Sequence, residues 1–79
     1  MRTAKQIRKF IDRQLLDGVG TPDDPLAAGM LDSLAIEQLT AFAENRFGIT
    51  FEDAELVTEN FRSIDVLAAV VDAKRAAVS

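Results

Sequence analysis

Apolar residues recur along this chain at helical spacing and nowhere alternate strictly, so the pattern predicts helices and no strands. In the first segment Ile7, Phe10, Ile11 and Leu15 fall at i, i+3, i+4 and i+8, one side of a helix. Thr3 is placed to cap its start, and Gly18, just past Asp17, suits a left-handed C-terminal cap. The next stretch, GVGTPDDPLAAGMLD at 18–32, holds two glycines and both prolines by residue 25. Regular helix is not expected through that half. Leu26, Met30 and Leu31 are expected to pin the connection to the core, which would make it ordered.

The second helix is predicted over Ser33–Phe47. Ile36, Leu39, Ala43 and Phe47 form its core stripe, Phe42 lies beside that stripe, and Gly48 ends the helix. Leu34, Glu37, Gln38, Ala41, Glu44 and Asn45 fall on the opposite face. A short third helix is expected at 53–57, bounded by Thr50 and Asn60. A fourth follows Ser63, a good N-cap, with Asp65 in the first turn, where the helix dipole favours an acid. Ile64, Leu67, Ala68, Val71 and Ala76 make its buried side. The expected fold is all-α: a small antiparallel four-helix bundle of three longer helices and one short one, a single domain over 1–79.

Composition narrows the chemistry. A chain of 79 residues is marginal for one core, and this one has neither cysteine nor histidine to staple it with a disulfide or a conventional zinc site. Stability must come from packed apolar side chains, which make up 48% of the residues. The N-terminus is amphipathic rather than signal-like, and the longest apolar run, at 66–71, is far too short to span a membrane. A soluble cytoplasmic protein is the expectation. Charge is unevenly spread. Residues 1–13 carry Arg2, Lys5, Arg8, Lys9 and Arg13 against Asp12, a net of +4, whereas residues 14–60 carry ten acids against Arg46, a net of −9. The acidic part should repel nucleic acid and anionic lipid and attract basic protein patches.

Independent catalysis is not expected. Ser33 lacks a histidine base and the G-x-S-x-G elbow, cysteine chemistry is excluded, and no calcium-loop or phosphate-loop spacing is present. The paired acids Asp23-Asp24 and Glu52-Asp53 read as solvated loop residues. Ser33 itself has two readings. Serine at a helix start is most often a cap. A helix N-terminus also favours an anion, so a phosphodiester on Ser33 would be well seated. Leu34, a large apolar residue on the side away from the core, adds an anchor beside acidic groups, the composition of a docking surface.

The segment G-M-L-D-S-L-A-I-E-Q-L at 29–39 resembles the attachment motif and second-helix start of acyl and peptidyl carrier proteins. F-G-I-T-F-E-D at 47–53 resembles the family's link to its short third helix, and E-N-F-R-S-I-D at 59–65 the start of its last helix. The similarity runs through nearly the whole chain, in the right order, with the family's length and charge. It implies that Ser33 receives 4′-phosphopantetheine from coenzyme A through a phosphopantetheinyl transferase, with Asp32 and Leu34 part of the modification motif. It implies that Leu34, Glu37, Gln38 and Ala41 meet partner enzymes: an adenylating or acyl-loading enzyme, then condensing or tailoring enzymes. The chain would carry an acyl or aminoacyl thioester, act as a monomer, and need no metal, nucleic acid or membrane. Ala35, Asn45 and Arg46 stand where fatty-acid carriers commonly differ or carry acids, so the resemblance leans to freestanding carriers of nonribosomal peptide, polyketide or related specialised biosynthesis. A housekeeping fatty-acid carrier and a non-covalent acidic helical adaptor are the alternatives.

Overall fold

The computed structural model describes residues 2–16 and 24–78. Three α-helices carry the fold among them: α1 (Thr3–Phe10), α2 (Ser33–Phe47) and α3 (Ile64–Val78). Two 3-10 turns, Asp53–Glu55 and Thr58–Phe61, lie between α2 and α3, and no strand occurs among the described residues. The all-helical expectation therefore holds. The third helix is not a helix of the predicted kind but two separate short turns.

One buried cluster joins these elements. Ile7 and Ile11 from the first helical segment, Leu39 from α2, and Leu67 and Val71 from α3 are all fully buried. Each stands where the 3.6-residue period placed it. Around them Phe10 stacks on Phe42, ring centroids 4.2 Å apart, and Phe42 meets Phe47 edge-on at 6.1 Å. These are ordinary favourable aromatic geometries. Ala76, assigned to the buried side of α3, is exposed, because α3 runs on past the core after Val71.

The helix ends show where local signals and tertiary contacts compete. Thr3 is not the cap of α1. Arg2 occupies that position without a side-chain bond, and Thr3 is the first helical residue. Its buried hydroxyl donates instead to Asp72 Oδ1 at 2.5 Å, tying α1 to α3 across 69 residues of sequence. After Phe10 the helix widens into a π-helical turn, Ile11–Leu15, closed by Leu16 N–H donating to the Ile11 carbonyl at 2.9 Å. Gly18 lies outside the described residues. Gly48 does end α2, at φ 66°, the left-handed conformation glycine adopts without strain.

The connection into α2 is held differently from the expectation. Pro25 and Leu26 are buried, but Met30 is 42% exposed and Leu31 only half-buried. Residues 24–29 form a tight turn. Ala28 N–H donates to the Asp24 carbonyl, and Gly29, at φ 70°, lets the chain leave toward solvent before Met30. Asp24 is the clasp: its carboxylate accepts from Ala27 N–H at 3.0 Å and, through both oxygens, from Ile64 N–H at 3.1 and 3.2 Å. Ser63 caps the same helix, its Oγ accepting from Val66 N–H at 3.0 Å, as its position in the sequence implied.

Between α2 and α3 a capping box closes the first 3-10 turn, with Glu52 and Glu55 each accepting the other's backbone N–H. Leu56 then leaves helical geometry at φ −84°, ψ 61°, and Val57 is extended. Both remain exposed, so no amphipathic stripe exists to reward continuing the helix. Asn60 Nδ2 donates to the Glu55 carbonyl at 2.7 Å, and Lys74 of α3 pairs with the Glu55 carboxylate at 2.6 Å. The backbone N–H of Glu52 and, second, Lys74 hold the Glu55 carboxyl below its ordinary value.

Candidate functional site

The start of α2 separates two roles that the sequence left combined. Asp32, in extended geometry at φ −84°, ψ −178°, is the N-cap, its Oδ1 accepting from Ala35 N–H at 2.8 Å. Its carbonyl accepts the first helical bond, from Ile36 N–H at 2.9 Å. Ser33 is the first residue of the helix proper and is exposed. Among the described residues its hydroxyl caps nothing, so the capping reading of Ser33 is corrected: the acid before it does that work. The hydroxyl stands at the positive end of a 15-residue helix.

Leu34 is 61% exposed, more than any other large apolar side chain among the described residues. Glu37, Gln38 and Ala41 are exposed on the same side of α2, and Asn45 continues that face. Thus the residues of the candidate docking face do share one solvent-facing surface, beginning at Ser33. Glu44 does not belong to it. It is half-buried, and its Oε2 accepts from Phe51 N–H at 2.8 Å, fastening the chain after α2 onto the helix.

A groove of about 790 Å³ opens along one flank of α2. Ile36, Glu37 and Ala41 line it from α2, Leu26 and Leu31 from the preceding connection, and Val57 and Phe61 from the 3-10 region. Its size falls in the range of small-molecule sites. A cavity among Ile36, Leu39, Phe42 and the last helix would have been the alternative place for cargo. There Leu39, Leu67 and Val71 are fully buried and Phe42 is stacked on Phe10. The groove shares Glu37 and Ala41 with the docking face, so the two form one continuous surface next to Ser33. Its far wall was not legible in the sequence. Leu56 and Val57 fall at the end of the short third helix expected at 53–57, and only their departure from helical geometry and their exposure make them part of the groove wall.

Among the described residues no group of three or more carboxylates is arranged to hold a metal ion, and no helix is long and apolar enough to cross a membrane. No family model matches this chain, and no curated protein matches it.

Proposed function

We propose that this protein is a covalent carrier: Ser33 takes 4′-phosphopantetheine from coenzyme A and the chain ferries an acyl or aminoacyl thioester between enzymes. The observation that carries the reading is the start of α2, where Asp32 does the capping and leaves an exposed serine hydroxyl at the helix N-terminus, next to exposed Leu34. A phosphodiester at that point gains from the helix dipole. The order of elements, long helix, long connection, long helix, short helical turns, long helix, accords with a carrier-type four-helix arrangement, the 3-10 turns standing in for its short helix. The residues fit the group in a second respect. The bound arm supplies a thiol, which a chain without cysteine cannot.

Transfer to Ser33 joins its Oγ to the phosphate of the pantetheine arm and breaks the pyrophosphate bond of coenzyme A. The adenosine bisphosphate leaves, and the serine proton goes to the transferase. Thereafter the chain performs no bond chemistry. Leu34 anchors a partner, Glu37 steers it, and Gln38 and Ala41 complete the contact, while tethering raises the local concentration of cargo at each active site. The partners are a phosphopantetheinyl transferase, an adenylating or acyl-loading enzyme and downstream condensing or tailoring enzymes, in specialised rather than fatty-acid biosynthesis. Intact mass after incubation with coenzyme A and a broad-specificity transferase tests this. A gain of one phosphopantetheine, abolished in Ser33→Ala, is the expected result. An unchanged mass with several transferases would favour the adaptor reading, in which Leu34 and the adjoining groove bind a partner non-covalently.

A further inference from the structure

The cationic N-terminal helix has no role in the carrier reading, yet the fold gives it a defined shape. Arg2, Lys5, Lys9 and Arg13 recur at i, i+3, i+7 and i+11, and all four are exposed. They spread charge over about 16 Å of helix. Arg46, from the C-terminal half of α2, joins them by donating from Nε to Gln6 Oε1 at 2.6 Å. Lys9, Arg13 and Arg46 together line a depression of about 270 Å³ that no acidic side chain lines among the described residues. Phe10 and Phe42, stacked and only partly buried, also line it. The site thus pairs three cations with an apolar surface in a protein whose net charge is −4.

It lies away from Ser33 and on the opposite flank of α2 from the large groove, with Phe42 one turn beyond Gln38 of the docking face. Phe42 and Arg46 lie roughly 160° around α2 from Thr40 and Glu44, which line the large groove, and Phe42 is about 14 Å of helix rise from Ser33. A partner seated here would leave Ser33, Leu34 and Glu37 uncovered.

We propose that this depression is a second docking surface, for an acidic amphipathic segment of a partner protein. Carboxylates of that segment meet Lys9, Arg13 and Arg46, and an apolar side chain covers the Phe10–Phe42 pair. Charge complementarity selects a short segment over an extended polyanion. The cationic row ends within the π-helical turn that follows α1, and the acidic block of residues 14–60 repels a nucleic acid or anionic bilayer that reaches past it. The gain from the aromatic pair requires an apolar group, which separates an amphipathic segment from a simple anion.

The inference stands apart from the carrier reading, and its test uses the full chain. A fluorescent synthetic peptide with glutamates at i and i+4 and leucines on the other face is titrated by anisotropy at low and physiological salt. Saturable one-to-one binding, absent for the lysine counterpart of the peptide, is expected. Lys9→Glu with Arg13→Glu should weaken it about tenfold or more, and Lys9→Gln with Arg13→Gln less, with helicity unchanged by circular dichroism. Ser33→Ala and Glu37→Lys should leave it intact. Absence of saturable binding overturns the proposal. So does equal binding of a single-stranded oligonucleotide or of phosphatidylserine vesicles, loss of binding in Glu37→Lys, or head-to-tail self-association of the chain that the Lys9 and Arg13 variants abolish.

Discussion

Asp32 and Ser33 are adjacent, both polar and both exposed, yet the structure assigns them opposite consequences on substitution. Asp32→Ala removes the acceptor of the Ala35 N–H bond at 2.8 Å and a negative charge from the N-terminal end of α2. Loss of such a cap costs about 1 kcal/mol, within a range of about 0.5–2. Ser33→Ala removes a hydroxyl that caps nothing among the described residues and places alanine, the strongest helix former, at the first helical position. Its stability should stay within about 0.5 kcal/mol of the parent chain. In urea a protein of this size has a slope of about 1 kcal/mol per molar, so Asp32→Ala should lower the midpoint by about 1 M and Ser33→Ala should barely move it. The corresponding thermal shift for Asp32→Ala is about 4–8 °C. Intact-mass modification assays run on the same variants complete the test. Ser33→Ala should be folded and unmodifiable, whereas Asp32→Ser, which restores a cap, should recover stability whatever it does to modification. Equal destabilisation by Ser33→Ala and Asp32→Ala would refute the assignment and return Ser33 to a structural role.

Three further outcomes follow from the packing. Leu39→Ala, at a fully buried site in the core cluster to which all three helices contribute, should cost about 2–5 kcal/mol and, in a domain this small, leave a large unfolded fraction by circular dichroism. Glu37→Lys should leave the urea midpoint nearly unchanged while slowing delivery to a partner enzyme, read as a fall in transfer rate that grows less marked at high salt. The depressed Glu55 carboxyl stabilises the fold above the unfolded-state value of about 4.3, and that contribution is lost as pH falls through the lower folded value. Glu55→Gln should therefore be less stable than the parent near neutrality, with the gap closing as pH falls below the unfolded-state value and through the lowered folded value. A gap independent of pH would mean that the carboxylate charge is not what holds the 3-10 turn to Lys74.

Much of the candidate site was legible in the chain order because it is a local matter. A helix start is announced by its cap and its first apolar period, so Ser33–Phe47 and the common face of Leu34, Glu37, Gln38 and Ala41 follow from spacing alone. The choice of Asp32 over Ser33 as the cap was not legible. Both residue types cap well, and only backbone dihedrals tell which one is extended. Likewise Thr3 carries every local sign of a cap, but a tertiary hydrogen bond to Asp72 takes its hydroxyl.

By itself the sequence determined three things: the helical class, the one-sided burial of Ile7, Ile11, Leu39, Leu67 and Val71, and the separation of a basic start from an acidic middle. Each depends on periodicity or on a sum of charges, which need no knowledge of distant neighbours. The tertiary structure alone decided that Asp24 clasps α3 from 40 residues away, that Glu44 accepts from Phe51, and that Leu56 and Val57 form an exposed corner instead of continuing a short helix. It also brought Arg46 beside Gln6 and opened grooves on opposite flanks of α2. Concave surfaces arise where elements far apart in sequence fail to close on one another, and that is a property of packing.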